Sequence, residues 1–252
     1  MKTNEVMEVA LRAGEALLRN GAEIYRVEDT VQRICKSYNV DVEIFALPTG
    51  IFMTVIGKDG ESVSYVRRIK SRTVDLRRIE RVNSFSRSLQ KNPVSYSHAI
   101  KVLRDIEETK GFNFASRLCI AGVNAFVYAL LFKGSLQEAA AAFFIGMIIF
   151  ISKEKISRAG VFNFFEDFAS GMVAGVISLA VVKLFPIINL YKVIIASIII
   201  LLPGVAITNA IKDALNGDIV SSQFRLAEAI FSLVAVAAGV AVVLSAGLRW
   251  LL

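Results

Sequence analysis

Three polar side chains at helical spacing follow a Pro–Gly pair in an apolar segment. The pair is Pro203-Gly204, and Asn209, Asp213 and Asn216 come after it on one helical face. Proline removes a backbone donor and clashes with the preceding turn, so we expect the helix to break there. A break in lipid is costly unless the freed groups face protein or a water-filled cavity. This pattern predicts a polar site where Asn209 and the freed backbone bind a solute, and where Asp213 binds a proton, an ion or an ammonium group.

The same residues have a simpler interpretation as the cytoplasmic exit of a membrane helix. In that interpretation Asn216-Gly217 caps the end of the helix, and Lys212 and Asp218 lie at the membrane edge. The shortened apolar run favours a binding site instead. We therefore predict substrate-binding residues and assign the proton-coupling role to Asp213; the predicted set is Pro203, Gly204, Asn209, Asp213, Asn216 and Asp218.

A second acidic pair, Glu166 and Asp167, stands at the start of another apolar segment. Carboxylates in a first helical turn are stabilised by the helix dipole, so the pair is typical of a helix start at the inner interface. The alternative is a role at a cytoplasmic gate, and we carry both residues forward as gate candidates.

Other kinds of chemistry find little support in the sequence. The single histidine, His98, and the two cysteines, Cys35 and Cys119, share no metal-ligand spacing, so we expect no metal site. No nucleotide-binding glycine loop and no nucleophile–histidine–acid pattern is present, which predicts neither a cofactor nor an enzyme. A net charge of +7 is compatible with nucleic-acid binding. Part of the excess positive charge lies beside apolar segments, however, where membrane proteins place basic residues, so we expect no nucleic-acid partner.

Composition divides the chain in two. The sequence is 252 residues long and 55% hydrophobic. Residues 1–110 hold 19 Lys or Arg and 15 Asp or Glu, whereas residues 111–252 hold 10 and 7. We predict a small soluble α+β domain at 1–110 and a helical membrane domain at 111–252.

The α+β prediction rests on changes of periodicity along residues 1–110. Helical spacing covers 4–20 and continues through a second helix, alternation predicts strands from Val40, from Ala46 and from Ser62, and helices follow from Asp75 and Ser95. The second strand is interrupted at Pro48 to Gly50. Lys58-Asp59-Gly60 is a hairpin-type turn.

Five apolar segments predict a bundle of five transmembrane helices. A helix needs about 20 residues to cross the hydrocarbon core. The segments run from Phe114 to Phe132, Leu136 to Ser152, Phe168 to Phe185, Ile187 to Ala210 and Leu226 to Leu248. Together with the basic residues of 1–110, the loop charges predict a multi-pass plasma-membrane protein with its N-terminal domain in the cytoplasm.

Three stretches of the sequence carry a family resemblance: LLRNGAEIYRVEDTVQRI at 17–34, ALPTGIFMTV at 46–55 and LLPGVAITNAIKDALNGDIVSS at 201–222. They resemble the threonine/serine exporters, in the split form whose N-terminal half is a separate protein. The resemblance implies proton-driven export of threonine, serine or a small dicarboxylate. It also implies a second, small membrane protein that supplies the remaining helices. The matching positions are Gly21, Glu23, Arg26, Pro48, Gly50, Pro203, Gly204, Asn209, Asp213, Gly217 and Asp218.

The preferred interpretation is therefore a subunit of a secondary transporter, acting with the lipid bilayer, a small-molecule substrate and a partner subunit. A homo-oligomer in place of the partner stays open. One rival is a membrane-tethered enzyme using Glu23, Arg26, Glu28 and Asp29. The other is a regulatory or assembly subunit that acts through residues 1–110.

Overall fold

The computed structural model describes residues 1–56, 62–109 and 111–251, the last four of them by their backbone alone. These residues form two compact units. The first unit contains Met1–Lys110 and Val205–Ala227, and the second contains Gly111–Gly204 and Glu228–Leu252. Residues 205–227 thus pack with the N-terminal part of the chain, a grouping that composition does not reveal. The predicted boundary of a soluble domain at residue 110 stays a prediction.

The described elements follow the order expected for an α+β region and a helical region. The strands are β1 (Val42–Leu47), β2 (Gly50–Ile56) and β3 (Ser62–Arg68). The helices are α1 (Thr3–Arg19), α2 (Ile24–Ser37), α3 (Leu76–Lys91), α4 (Tyr96–Glu107), α5 (Phe114–Leu131), α6 (Leu136–Arg158), α7 (Asn163–Leu184), α8 (Leu190–Ile198), α9 (Gly204–Leu215) and α10 (Ile219–Leu251). A short 3-10 turn, Ile199–Leu201, follows α8.

Helix α1 forms the centre of the first unit. Its apolar residues recur every three or four positions, and Val6, Ala10, Ala13 and Leu17 are completely or almost completely buried. The helix packs against α2, α3, α4 and β2. Burial of this apolar stripe, rather than intrinsic helix propensity, holds the helices of the unit together.

The three strands form an antiparallel sheet in the order β1-β2-β3. Pro48 and Thr49 make the two-residue turn between β1 and β2, so the predicted interruption is a hairpin, and Ala46 and Leu47 belong to the first strand. Glycine suits position 50 after this turn, because a Cβ atom there would make a tight contact, 3.0 Å, with the carbonyl oxygen of Arg67. The predicted turn at Lys58-Asp59-Gly60 lies outside the described residues.

Helix α6 is the common partner in the second unit, where it packs on α5, α7 and α8. Its contact with α5 is built from small side chains: a Cβ atom on Gly146 would lie 2.8 Å from that of Ala125. Small residues let helix backbones approach closely, which is how helices associate in lipid without a hydrophobic driving force.

The number of candidate membrane spans is smaller than predicted. Among the described helices, α5, α7 and the part of α10 up to Gly247 are long and apolar enough to cross a membrane. Helices α8 and α9 would add a fourth span if the interrupted pair is counted as one. Helix α6, which contains the predicted second span, is not among them. The protein is mostly helical with a small sheet, and the prediction of five transmembrane helices is not confirmed.

Helices α7 and α10 approach each other closely at two glycine residues. A Cβ atom on Gly171 would lie 2.4 Å from the carbonyl oxygen of Val236, and one on Gly239 would lie 2.1 Å from that of Phe168. Neither position has room for a side chain unless the helices move apart. Glycine therefore sets the spacing of this helix pair.

The close contact predicts that Gly239→Ala destabilises the protein. The added methyl group must push α7 and α10 apart, and overpacking of this kind costs about 1–3 kcal/mol. Thermal unfolding of the purified full chain in detergent measures the effect. The matched control is Gly111→Ala, since nothing lies within 4 Å of a Cβ atom there. Equal unfolding temperatures for the two variants would contradict the predicted packing.

Candidate functional site

The predicted interruption of the fourth apolar segment is present. Leu202 leaves the 3-10 turn with an extended backbone, at φ −72° and ψ 134°, and α9 begins at Gly204 after Pro203. The helical hydrogen-bond ladder therefore stops before α9, as proline at position 203 demands. The residues that follow belong to the first unit.

Two of the predicted site residues, Asn209 and Asp213, are buried on the same face of α9. Asn209 is 6% exposed and Asp213 is completely buried. An uncompensated carboxylate in such a position would cost several kcal/mol, so it must have partners. All the partners described below belong to the first unit.

Arg225, in the first part of α10, is the charged partner of Asp213. Its Nε atom lies 2.9 Å from Oδ2 of Asp213, and only 7% of the arginine side chain is exposed. A buried pair of this kind is strongly destabilised when one partner is removed, because the other charge is then left uncompensated. Arg225 was not among the predicted site residues.

The remaining hydrogen bonds of this face go to the turn between α1 and α2, residues 20–23. Asn209 Nδ2 donates to the carbonyl oxygen of Gly21 at 2.7 Å, and Arg225 Nη2 donates to that of Ala22 at 2.7 Å. The backbone N–H of Ile24 donates to Oδ1 of Asp213 at 3.0 Å. Asn209, Asp213 and Arg225 are called the turn-binding face below.

The turn has the conformation of a helix C-cap. Gly21 has φ +84°, and the N–H groups of Gly21 and Ala22 donate to the carbonyl oxygens of Leu18 and Leu17. This is the Schellman arrangement, which requires a left-handed residue and therefore favours glycine. It leaves the carbonyl groups of Gly21 and Ala22 free to accept from α9 and α10.

Asp213 also stabilises the start of α2. Ile24 is the first residue of that helix, and its N–H group has no acceptor within the helix. A carboxylate at a helix N-terminus also interacts favourably with the helix dipole. Asp213 supplies the acceptor from a position 189 residues away in the sequence.

Glu23 adds a second charged contact between the turn and α9. Its carboxylate lies 2.9 Å from Nζ of Lys212 and 2.8 Å from Nε of Arg26. Burial acts to raise the pKa of Glu23, but the hydrogen bond from Lys212, a backbone hydrogen bond and the charge of Arg26 outweigh it. The pKa is lowered as a result. Glu23 is therefore held as an anion that keeps two cations in place.

Asn216 and Asp218 do not join the turn-binding face. Asn216 is exposed just beyond the end of α9, and its Nδ2 donates to the carbonyl oxygen of Lys212. Gly217 has φ +90°, and the N–H of Asp218 bonds to the carbonyl oxygen of Asp213, which is the same cap that ends α1. Burial raises the pKa of Asp218. Burial also raises the pKa of Glu28, and the negative charge of Asp218 adds to this effect.

The gate candidates lie in the second unit, where the structure separates their environments. Asp167 is 7% exposed and pairs with Lys153 of α6 at 2.9 Å and with Ser232 of α10 at 2.5 Å. Glu166 is half-buried, and its carbonyl oxygen accepts from Ser170. Only Asp167 thus joins a polar cluster among the described contacts.

The four residues named for a tethered enzyme are engaged in separate contacts. Glu28 accepts from the N–H of Ala46, Asp29 pairs with Arg33, and Glu23 pairs with Arg26. An open groove of about 500 Å³ does lie between α3 and α4. Its polar lining is a different set: Glu80, Arg81, Ser84, Ser88, His98 and Asp105.

Chemically, the turn-binding face offers one carboxylate acceptor beside two donors, a guanidinium and an amide. The α1–α2 turn satisfies this pattern with one N–H group and two carbonyl oxygens. Any small molecule with a cationic donor next to an anionic acceptor has the same complement. Sequence reasoning found Asn209 and Asp213 from their spacing, whereas Arg225 had only one weak signal, an isolated charge near the start of an apolar helix.

Comparison with known proteins gives one family and one curated relative. A family model described as "Putative threonine/serine exporter" matches residues 8–247. A curated protein of Mycobacterium tuberculosis, named "Probable threonine/serine exporter", is 21% identical over 246 residues. The match covers 95% of this chain and 46% of that protein, so the chain spans about half the length of the relative. No solved structure matches the chain at a significant level.

The first prediction for this site concerns the buried ion pair. Asp213→Ala leaves Arg225 without its counter-charge and Ile24 without its acceptor, which we expect to destabilise the fold by about 3–5 kcal/mol. Hydrogen exchange of the Ile24 amide in the full chain measures the local part of this loss, and it should become faster. Leu215→Ala, at an exposed position of the same helix and outside the face, should leave that exchange rate unchanged. Slow exchange at Ile24 in Asp213→Ala would contradict the contact.

The second prediction concerns acid. The folded pKa of Glu23 lies below its ordinary value of 4.5, so its ionised form stabilises the fold above pH 4.5. That contribution is lost as the pH falls through the folded pKa. Glu23→Gln should therefore unfold at a lower temperature than the unchanged protein near neutral pH, and the gap should shrink below pH 4.5. A gap that is independent of pH would contradict the charged contact with Lys212.

Proposed function

The chain belongs to the threonine/serine exporter family, and we propose that it is one subunit of a secondary-active exporter for small amino acids. A small dicarboxylate is the alternative cargo. In this proposal the protein lies in the plasma membrane with its N-terminal domain, residues 1–110, in the cytoplasm, and export is coupled to protons. One observation carries the cargo chemistry: the turn-binding face holds a buried carboxylate beside two donors.

A zwitterionic amino acid has the complement of that face. Its ammonium group would bind to Asp213, where the Ile24 N–H now donates. Its carboxylate would accept from Arg225 and Asn209, which now donate to two carbonyl oxygens. Charge-assisted hydrogen bonds are about twice as strong as neutral ones, so a zwitterion can compete with the backbone groups of the turn.

Cargo binding at this face requires the α1–α2 turn to move, because both use the same three side chains. In the absence of cargo the turn occupies the binding site, and it moves away when cargo binds. Proton binding by Asp213 would weaken both the pair with Arg225 and the bond from Ile24. In the proposal, Asp213 therefore carries the coupling proton as well as the cargo contact, while Pro203 and Gly204 provide the flexible backbone beside the face.

The remaining predicted residues have supporting roles in the proposal. Asn216 and Asp218 lie on the path to the face from the end of α9, and Glu166 with Asp167 forms a gate. A partner supplies the second half of the carrier, either as a separate small membrane protein or as a second copy of this chain. The match to about half of the relative supports this part of the proposal.

Uptake of labelled L-threonine into inside-out proteoliposomes tests the proposal. We expect flux from the chain reconstituted with its partner, and a loss of at least about tenfold in Asp213→Asn, because one charged hydrogen bond is worth 1.5–3 kcal/mol. Leu215→Ala serves as the matched variant, since Leu215 is an exposed residue of the same helix, and it should keep its flux within about twofold. Correct membrane insertion of each variant is checked by protease protection.

The same assay separates the two cargo classes. A dicarboxylate has no ammonium group for Asp213 and is repelled by its charge. Exchange of labelled for unlabelled dicarboxylate, which needs no coupling proton, should therefore be preserved or raised in Asp213→Asn. Threonine flux that survives in Asp213→Asn would remove the proposed site, and flux of succinate alone in the unchanged protein would replace the zwitterion by a dicarboxylate.

A regulatory subunit is the second candidate, since the α1–α2 turn occupies the polar face of α9 and could control it. Reconstitution of the partner alone distinguishes the two. A regulatory subunit leaves residual threonine flux when it is omitted, whereas half of a carrier leaves none.

A further inference from the structure

We propose that the outer face of the β-sheet in the first unit docks on an anionic lipid surface. This outer sheet face carries a line of three apolar side chains, Phe45, Phe52 and Val66, with the basic residues Arg68 and Lys70 at one end. The proposal goes beyond the export proposal and does not depend on the cargo. It requires only that the chain lies in a membrane, as membership of an exporter family indicates.

The register of the sheet fixes the apolar line. Phe45 of β1 is paired with Phe52 of β2, which is paired in turn with Val66 of β3. Side chains of directly paired residues lie on the same face of a sheet, so these three lie side by side across all three strands. The centroids of the two phenylalanine rings are 6.4 Å apart.

The line is exposed along its whole length. Phe45 is 57% exposed, Phe52 is 44% exposed and Val66 is 66% exposed, whereas Ile51 and Met53 on the opposite face of β2 are buried in the core. Contact between strands explains why the two rings lie together, but it leaves their outer sides in water. Contiguous apolar surface of this kind usually marks a site of contact with a protein or a membrane.

Two exposed cations lie at one end of the line. Arg68 follows Val66 by two residues and is therefore on the same face, and Lys70 comes after the buried Ile69. Binding at a membrane surface combines burial of apolar side chains with attraction of basic residues to anionic lipid. Each basic residue close to such a surface favours the bound state about fivefold. The outer sheet face has both components side by side.

The charge of the neighbouring chain favours lipid over a second copy of this protein. Residues 67–81 contain seven Lys or Arg and two Asp or Glu. Two copies that met at this face would bring two such segments close together, and the juxtaposition of like charges is costly. An anionic surface attracts the same segment instead.

The outer sheet face also has an acidic end. Glu43 precedes Phe45 by two residues on β1, so it lies on the same side of the sheet, and it is exposed. An anionic surface repels this carboxylate, whereas a second copy of the chain would offer a cation, such as its own Arg68, to pair with it. The two occupants therefore predict opposite effects when Glu43 is neutralised.

Tryptophan fluorescence of the full chain in lipid nanodiscs tests the docking. Phe52→Trp places a reporter on the face, and Trp250→Phe removes the one natural tryptophan. Lipids brominated in their acyl chains quench a tryptophan that touches them, and acrylamide quenches a tryptophan in water. We expect the ratio of docked to undocked protein, obtained from bromine quenching, to be at least about fivefold higher with anionic than with neutral lipid of the same acyl chains.

Charge variants of the reporter chain sharpen the test. Arg68→Gln combined with Lys70→Gln should lower the docked-to-undocked ratio in anionic nanodiscs by about fivefold for each residue. Glu43→Gln should raise it. Lys91→Gln combined with Lys101→Gln is the matched control, because it removes the same charge from α3 and α4. It should keep the ratio within about twofold, since charges far from the surface are screened.

Docking that ignores anionic lipid, or that weakens equally in both pairs of charge variants, would overturn the proposal. A reporter shielded from bromine and acrylamide alike, with less shielding in Glu43→Gln, would show a second copy of the chain on the face and would overturn it too. Thermal unfolding checks that each variant is folded, and Phe45→Trp provides a second reporter on the same line. None of these outcomes involves threonine flux, so the export proposal stands or fails separately.

Discussion

Asp213 and Arg225 are almost completely removed from water, and the first unit tolerates this only because the two charges lie 2.9 Å apart. Neither charge can leave alone without a large cost in free energy. Their remaining hydrogen bonds go to Ile24 and Ala22. Three segments that are distant in sequence, the α1–α2 turn, α9 and the start of α10, are therefore held in one arrangement by a single electrostatic requirement.

Local periodicity predicted what depends on local sequence. The four-residue spacing of Asn209 and Asp213 put both on one face, and Pro203 marked the interruption before them. The same spacing was misleading at Asn216, because α9 ends at Leu215 and the amide bonds to the last turn instead. Asn-Gly pairs end both α1 and α9 with the same cap, and this feature was readable in the sequence.

Long-range contacts could not be predicted in that way. Nothing in the sequence near Gly21 indicates that its carbonyl oxygen accepts from Asn209, 188 residues later. The sequence around Arg225 does not identify its partner, because Asp213 lies on the other side of the Gly217 turn. The prediction counted each long apolar segment as one membrane span. The helices that contain these segments differ in length, and one segment is interrupted between α8 and α9. The contacts of Asp167 with Lys153 and Ser232 depend on the packing of three helices, which no single-helix pattern contains.

The glycine contact between α7 and α10 has a consequence for solute movement. Where the backbone of one helix touches that of the other, at Gly171 and Gly239, neither a lipid chain nor a water file can pass between them. Further along the same seam, Gly175 meets Val243 and Gly247 meets Leu179. These contacts close the α7–α10 interface between Phe168 and Leu179 of α7, and a permeation pathway through that level of the second unit would have to run along another helix interface.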